Sequence, residues 1–420
     1  MAETLRQKIA AARLNLDWWW NRCRCSPRSV GQNAERSLVL IPCEPWTVMG
    51  SRGDEAMIYS ILQNFRRRHP EGFITIVTGS PTFAATDDGK RLATDFSPLV
   101  FSYAWRPRWY LSSIVQAIRA AKATEVYVLG ADCMDGKWGT YTSTILLASA
   151  DLATRMGIAT RLTAFSWNEH PTPGMLRGFR HVTDRLPILL RDPVSHGRFV
   201  KDFPHLRNAK LVTDVAFNLQ PKETEKVRRE RVEMDADRAR GRFVLGFNLH
   251  SMLVEKGELE SLLLRVAEAL RMFIARCPQV QLVFIPHDYR TGGDLEVLRR
   301  LYESLPSCRD NIRLVEPVLS AAELKAVTAG LDALFTSRMH LGIAALGMGR
   351  PVGAFAYQGK FAGLFEHVSL PQELILPPDA APKALGYVLE HLVDNAPSLT
   401  AALKERLPDV FGMAKASFIE

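Results

Sequence analysis

An arginine and a histidine two residues apart form the most chemically suggestive pair in the sequence. The stretch SRMHLGIAALGMGRP follows the apolar run DALF and opens another apolar segment. We predict a strand over 332–337, with Ser337 as a helix N-cap and Arg338, Met339 and His340 in the first helical turn. Free N–H groups at a helix start favour an anion, and an arginine adds a two-bond grip for carboxylate or phosphate. A histidine can carry a proton near neutral pH, so the pattern predicts an anion site with its own acid. A buried histidine with a structural role is the alternative.

Three other basic residues lie where a predicted strand gives way to a helix. Arg191 ends the apolar run LPILL before Asp192, a predicted N-cap, and Pro193, a predicted first helical residue. Lys360 follows PVGAFAY and His287 follows VQLVFIP. Ligands of open α/β sheets bind at the carboxyl ends of the strands. We therefore predict that these three residues face a ligand, with a structural ion pair as the alternative for Arg191.

Two glycine-containing loops carry acidic residues. In GSRGDEAMI, Ser51 and Asp54 fit a helix capping box, and Gly53 lets the backbone approach a ligand closely. In GADCMDGKWG, Asp132 and Asp135 are too few ligands to indicate a metal site, so we expect no metal. The candidate ligand-binding positions are Gly53, Asp54 and Asp132. A capped helix and an ordinary turn-forming loop are the structural alternatives.

The elements that must position these residues alternate regularly along the chain. Short continuous apolar runs separated by helix-length segments predict parallel sheets with helices on both faces. We expect two doubly wound, Rossmann-like α/β domains, since 420 residues exceed one ordinary core. The predicted boundaries are an aromatic N-terminal extension over 1–36, α/β domains over 37–220 and 242–381, a charged linker over 221–241, and C-terminal helices over 382–420. In the last segment we expect two helices, over 382–395 and 399–412. Ser320 and Glu323 predict a capping box for the helix that precedes the strand over 332–337.

The composition indicates which classes of partner the protein can bind. A net charge of +8 favours anionic ligands. The arginine-rich segment 226–242 contains interleaved acids and lacks the aromatic-and-basic pattern of single-strand binders, so we expect no nucleic acid. No apolar run is long enough to span a membrane, and we expect no export signal. These features, with six cysteines expected to be reduced thiols, predict a cytoplasmic protein.

Three tryptophans at 18–20 lie among Arg22, Arg24 and Arg28. A helix of this composition could rest on an anionic membrane surface. We therefore consider a peripheral contact at the inner face of the membrane through residues 1–30. Packing of the tryptophans on their own domain is the alternative.

Taken together, the motifs resemble those of the polysaccharide pyruvyl transferase family over roughly residues 37–380. The most specific part is SRMHLGIAALGMGRPVGAFAYQGK, and four further motifs occur in the expected order: RGDEAMI, LLRDPVSHGRF, VTDVAFNL and FIPHD. The family's asparagine–aromatic pair before Gly-Asp is Ser51-Arg52 here, and its glycine triplet is reduced to Gly130-Ala131-Asp132. Both departures lie in loops that the resemblance places on the acceptor side.

The resemblance implies a GT-B-like arrangement with an active site in the interdomain crevice, the first domain on the acceptor side and the second on the donor side. It implies transfer of the enolpyruvyl group of phosphoenolpyruvate to saccharide hydroxyls, which forms a ketal and releases phosphate in cell-surface or exopolysaccharide biosynthesis. No cofactor is implied beyond phosphoenolpyruvate as donor substrate, and the saccharide acceptor is free or lipid-linked. His340 would be the general acid, with Arg338 beside it. The donor-binding candidates are Arg191, Ser337, Arg338, Met339, His340 and Lys360; the acceptor-side candidates are Gly53, Asp54, Asp132 and His287.

Two other functions fit parts of the pattern. A nucleotide-sugar glycosyltransferase would use the same two-domain architecture, with Glu366 available to recognise a ribose. A non-catalytic anion-binding or scaffold protein would be compatible with the two departures, although such a protein has no need of an acid beside an anion site.

Overall fold

A computed structural model describes residues 5–25, 35–106, 110–255, 257–356, 359–380 and 383–420. The chain forms two compact units. The first comprises Met1–Gly50, Met57–Val215 and Met413–Glu420, and the second comprises Ser51–Ala56 and Ala216–Gly412.

The first unit is built on a seven-stranded parallel sheet, and its strands follow the order β3-β2-β1-β4-β5-β6-β7. The strands are β1 (Ser37–Ile41), β2 (Phe73–Val77), β3 (Leu99–Ser102), β4 (Glu125–Val128), β5 (Ala159–Phe165), β6 (Ile188–Leu190) and β7 (Ala209–Leu211). The helices are α1 (Leu5–Arg24), α2 (Arg52–Arg68), α3 (Asp87–Asp95), α4 (Tyr110–Ala120), α5 (Thr140–Arg155), α6 (Pro173–Phe179) and α7 (Pro193–Asp202). Every residue of β1 and β4 is buried, because helices cover both faces of the sheet.

The second unit is built on a six-stranded parallel sheet in the order β10-β9-β8-β11-β12-β13. Its strands are β8 (Phe243–Phe247), β9 (Val280–Phe284), β10 (Ile312–Leu314), β11 (Ala333–Thr336), β12 (Val352–Phe355) and β13 (Ile375–Leu376). Its helices are α8 (Glu225–Ala239), α9 (Leu259–Arg276), α10 (Asp294–Glu303), α11 (Ala321–Thr328), α12 (Met339–Gly347), α13 (Lys360–Val368) and α14 (Lys383–Lys415). The strand order reverses between β8 and β11, which is where doubly wound sheets open a crevice for ligands.

Several predicted helix starts are confirmed by their caps. The Asp192 carboxylate accepts a hydrogen bond from Ser195 N at 2.7 Å, and Pro193 is the first residue of α7. Ser320 and Glu323 form a complete capping box at the start of α11. These contacts are local in sequence, which is why the pattern was sufficient to predict them.

The segment predicted as a charged linker, 221–241, contains α8, and the structure places this helix inside the second unit. Val227 and Met234 are fully buried on one face of α8, and Arg313 donates to the Glu230 carboxylate at 2.5 Å. Two apolar residues and buried ion pairs therefore anchor a helix whose overall composition is that of a solvated linker.

The C-terminal region forms one helix, α14, where the sequence suggested two helices over 382–395 and 399–412. Pro397 and Pro408 lie inside α14. The buried face continues on both sides of Pro397, with Leu392 and Leu403 fully buried, so packing outweighs the local cost of the proline. Positions 381 and 382 lie outside the described residues.

The tryptophans of the N-terminal helix α1 differ in burial. Trp18 is buried and its indole N–H donates to Asp151 at 2.9 Å, whereas Trp19 and Trp20 are 60% and 50% exposed. Arg28 lies outside the described residues. Among the helices that the structure describes, none combines the length and apolar character needed to cross a membrane.

Candidate functional site

The carboxyl ends of four neighbouring strands in the second unit carry polar residues. Asn248 and His250 follow β8, His287 follows β9, Arg338 follows β11, and Lys360 begins the helix after β12. Because the strands are parallel, these residues share one edge of the sheet, on both sides of the point where the strand order reverses.

Arg338 is held by two carboxylates. Its Nε donates to Asp294 Oδ1 and Oδ2 at 3.0 and 3.1 Å, and its Nη2 donates to Asp294 Oδ1 at 2.6 Å and Asp288 Oδ2 at 3.2 Å. Its Nη1 makes no hydrogen bond within the described part of the chain. The guanidinium is therefore fixed in place, and this one nitrogen remains for a ligand.

Asp294 is the central acceptor of this network. It is fully buried, and its Oδ2 also accepts from Asn248 Nδ2 at 2.9 Å and from His287 N at 3.1 Å. Burial raises the pKa of the Asp294 carboxyl, and the Arg338 charge opposes that shift. Burial, which is less complete at Asp288, also acts to raise the pKa of that carboxyl, but hydrogen bonds from Arg290 and the Arg338 charge outweigh it and lower the pKa of Asp288.

The start of α12 differs by one residue from the prediction. Arg338, with φ −104° and ψ 112°, is the N-cap, and the helix begins at Met339. Ser337 does not cap the helix because its hydroxyl donates to Asn248 Oδ1 at 3.3 Å. The side chain of the N-cap residue Arg338 makes no capping bond, and the backbone N–H groups of Met339 and His340 lie at a helix start where an anion is favoured.

His340 lies in the first turn of α12, half-buried, and packs against Gly53. A methyl group on Gly53 would lie 2.4 Å from Nδ1 of His340, far inside contact distance. Gly53 was predicted to allow close approach to a ligand; in the structure it allows close approach to the imidazole of His340. Gly53 of the RGDEAMI motif and His340 of the SRMH motif thus meet within the second unit.

Two other histidines in the cluster are held neutral. Burial lowers the pKa of His287 well below its usual range, and the nearby charges of Arg338, His340 and Arg52 act in the same direction. Burial also lowers the pKa of His250, with further contributions from Arg338 and Lys360. His250 Nδ1 accepts from Met252 N at 3.0 Å, as expected for a neutral imidazole.

Arg52 adds a further cation beside this cluster. Its guanidinium lies over the ring of Tyr289 at 5.3 Å and donates to Glu55 at 2.7 Å. The residue that departs from the family pattern at this position is thus an arginine held by a carboxylate and an aromatic ring. Ser51 and Asp54 form the predicted cap, with Asp54 N donating to Ser51 Oγ at 3.2 Å and the hydroxyl donating to the carboxylate at 2.9 Å.

Lys360 is half-buried at the start of α13, and it lies near enough to His250 to affect the pKa of that imidazole. Tyr357, the tyrosine of the family motif, lies outside the described residues. Glu366, considered for ribose recognition, is exposed on α13.

Arg191 and Asp132 belong to the first unit. Arg191 is buried at the end of β6, where Nε donates to Ser166 Oγ at 2.8 Å and Nη1 to Asp214 Oδ2 at 3.2 Å. These contacts are those of the structural ion pair considered as the alternative for Arg191. Asp132 accepts from Trp138 Nε1 at 3.3 Å in the loop after β4.

Sequence reasoning missed four members of the cluster, Arg52, Asn248, His250 and Asp294. Asn248 and His250 follow a strand in the same way as His287, so the rule that located His287 could have located them. Asp294 begins a helix after a long loop, and nothing local in the sequence marks it as the partner of Arg338. The described residues contain no group of three or more His, Cys, Asp or Glu side chains arranged to hold a metal ion.

Comparison with solved structures identifies the class of fold. The chain is similar to UDP-GlcNAc 2-epimerase from Neisseria meningitidis bound to UDP-GlcNAc, with 12% identity, TM-score 0.56, and 91% of this chain and 98% of that chain covered. It is similar to Anabaena HepE in complex with UDP and glucose, with 12% identity, TM-score 0.53, and 91% and 96% covered. It is also similar to a glycosyltransferase from Rickettsia africae, with 11% identity, TM-score 0.53, and 91% and 98% covered. The protein thus has two parallel-sheet α/β domains of the GT-B class.

The sequence pattern of the polysaccharide pyruvyl transferase family matches residues 52–359. This match spans both Gly53 and the Arg338–His340 pair, and it covers most of the chain. The chain belongs to the polysaccharide pyruvyl transferase family, as the motifs predicted. No curated protein matches the chain closely enough to count as a relative.

Proposed function

We propose that the protein transfers the enolpyruvyl group of phosphoenolpyruvate to hydroxyls of a saccharide, forming a pyruvate ketal and releasing phosphate. Membership of the polysaccharide pyruvyl transferase family carries this proposal. The cluster in the second unit supports it, because cations, a helix start and a histidine lie at one sheet edge. No further cofactor is part of the proposal.

The donor carries a carboxylate and a phosphate, close to three negative charges, so one cation would not hold it. In the proposed complex Lys360 acts as a point charge, and Arg338 contributes Nη1. The N–H groups of Met339 and His340 supply two further donors at the positive end of α12. Asp294 and Asp288 orient Arg338 but also neutralise much of its charge, which gives Lys360 and the helix start a larger share of donor binding than the sequence suggested.

The proposed reaction has two stages. His340 gives a proton to the methylene carbon of the donor, and the oxocarbenium-like carbon beside it is attacked by one saccharide hydroxyl, whose proton returns to the imidazole. The carbon–oxygen bond to phosphate then breaks, and a second hydroxyl attacks the same carbon while its proton leaves with the phosphate. The products are the cyclic ketal and inorganic phosphate.

Calorimetric titration of phosphoenolpyruvate into the protein tests the donor. Binding should weaken about tenfold in Lys360→Met, since a charge-assisted contact contributes roughly 1.5 kcal/mol or more. Lys404→Met is the matched control, because Lys404 is an exposed lysine on α14. Absence of binding by the unaltered protein would contradict the proposal, as would equal binding by both variants.

Transfer of a sugar from a nucleotide sugar is the second candidate. The solved structures of similar fold include proteins described in complex with UDP, UDP-glucose or UDP-GlcNAc. The same titration with UDP- and GDP-sugars separates the candidates, since binding of these compounds in place of phosphoenolpyruvate would favour sugar transfer.

We further propose that α1 contacts an anionic membrane surface peripherally. Leu16 and Trp20 are 66% and 50% exposed at a spacing that places them on one face, with Arg13 and Arg24 also exposed. Co-sedimentation with anionic vesicles should fall when Leu16 and Trp20 are both changed to Ser. Unchanged sedimentation of this double variant would overturn the proposed membrane contact of α1.

A further inference from the structure

The first unit contains a cavity whose chemistry differs from that of the Arg338 cluster. Its volume is about 1010 Å³, and α1, the loop after β4, α5 and α6 form its walls. Every residue that lines it belongs to the first unit, so it shares no residue with the cluster around Arg338. Nothing in the mechanism proposed above uses it.

The lining is basic. Arg22, Lys137, Arg177 and His181 face the cavity, and none of the described residues that line it is acidic. Neither Lys137 nor Arg177 makes an ion pair with any described residue, and both are exposed. The wall therefore presents cations that are available to an anionic ligand.

The acidic side chains of the loop after β4 do not line the cavity and bond to other residues. Asp135 is buried, accepts from Lys137 N at 2.9 Å, and is bonded by Asn168, while Asp132 accepts from Trp138. Buried Asp151 accepts from Trp18 and pairs with both Arg22, at 3.5 Å, and Arg155, at 2.9 Å. One carboxylate thus faces two guanidinium groups, which leaves a positive balance behind the cavity wall.

Aromatic surfaces lie among these cations. Trp18 is fixed by its bond to Asp151, whereas Trp19 is largely exposed at the cavity and Tyr141 is half-buried. Flat aromatic faces pack against the C–H surface of a sugar ring, and their polar edges bond its hydroxyls. A free inorganic anion would leave the aromatic faces unused, and a neutral sugar would leave the cations unused.

We propose that this cavity binds an anionic saccharide, one whose ring carries a phosphate or carboxylate group. Lys137 and Arg177 hold the acidic group, and Trp19 packs against the ring. This site is distinct from the donor site proposed above, and the chemistry of its ligand follows from the cavity itself.

Calorimetric titration with glucose 6-phosphate, glucuronate, methyl glucoside, inorganic phosphate and UMP tests the site. Glucose 6-phosphate or glucuronate should bind at least about tenfold more tightly than methyl glucoside and phosphate, and the better of the two identifies the acidic group. Lys137→Gln, Arg177→Gln and Trp19→Ala should each weaken that binding about tenfold. Arg24→Gln is the matched control, because Arg24 lies on the same helix and stacks on Trp20 at 4.0 Å, outside the cavity lining.

Equal binding of charged and neutral sugars would overturn the proposal, as would unchanged binding in Lys137→Gln and Arg177→Gln. Tighter binding of UMP would overturn it in favour of a nucleotide. The titration of phosphoenolpyruvate into the same variants separates this proposal from the proposed function. Retained saccharide binding with no donor binding would reject the transferase chemistry alone, whereas retained donor binding with no saccharide binding would reject this cavity alone.

Discussion

The carboxylate of Asp294 holds the guanidinium of Arg338 through three hydrogen bonds, two from Nε and one, at 2.6 Å, from Nη2. The two residues are 44 positions apart, on α10 and at the start of α12. This pair joins the start of α10 to the end of β11 in the second unit, and it determines which nitrogen of Arg338 can reach a ligand.

Removal of Asp294 should destabilise the protein strongly. In Asp294→Ala the guanidinium of Arg338, only 14% exposed, would lose its main partner, and Asn248 and His287 N would lose an acceptor. We expect the free energy of unfolding to fall by about 3–5 kcal/mol, as for other broken buried pairs. Urea denaturation measures the change. Glu225→Ala, at an exposed pair with Arg228, is the control and should stay within about 0.5 kcal/mol.

Gly53 should be essential for the position of the His340 imidazole, the proposed general acid. In Gly53→Ala the new methyl group would displace the His340 ring, which lies 2.4 Å from its position. We expect phosphate release from phosphoenolpyruvate in the presence of acceptor to fall at least about tenfold, because a small displacement of a catalytic group is costly. Gly197→Ala on α7, where a methyl group meets nothing within 4 Å, should retain activity. Full activity of Gly53→Ala would show that the imidazole position is unimportant.

Replacement of His340 should separate binding from chemistry. His340→Asn keeps a polar side chain of similar size but removes the acid, so turnover should fall by about 10²–10⁴. Phosphoenolpyruvate affinity, measured by calorimetry, should change little because the backbone N–H groups of α12 remain. His205→Asn, at an exposed histidine of the first unit, is the control. Near-normal turnover in His340→Asn would assign the proton to another group.

The neutral histidines should make the second unit acid-sensitive. The pKa values of His250 and His287 are held well below the usual 6.5, so each takes up its proton more readily in the unfolded chain. The two histidines therefore make their full contribution to the free energy of unfolding above about pH 6.5. This contribution is lost as the pH falls, by up to about 1.4 kcal/mol per pH unit for each histidine. Urea denaturation between pH 7.5 and about pH 5 measures the slope of the free energy of unfolding against pH. His250→Gln should make this slope shallower, and an unchanged slope would contradict the neutral state of His250.

Sequence patterns predicted the features that depend on neighbouring residues. The alternation of strands and helices, the Asp192 cap and the Ser320–Glu323 box follow from short-range rules. The family match confirms the predicted family, and the matched residues include Arg338 and His340. Within the second unit, the predicted residues lie at one edge of the sheet. They are His287, Ser337, Arg338, His340 and Lys360, with Gly53 packed against His340.

The remaining features depend on contacts between distant parts of the chain. The placement of Gly53 against His340, and of Arg338 against Asp294, has no local signature. The charged helix α8 was predicted as a linker because composition does not show that Val227 and Met234 are buried. Arg191 occupies a typical ligand-binding position, yet its contacts are with Ser166 and Asp214.

The last residues of the chain have a consequence for biosynthesis. The residues Met413–Glu420 belong to the first unit, where Ile419 N donates to the buried Tyr127 hydroxyl at 2.6 Å and Phe418 is buried. The first unit thus lacks part of its interior until the ribosome has translated the entire second unit. The first unit therefore cannot complete its folding before the second unit has been synthesised.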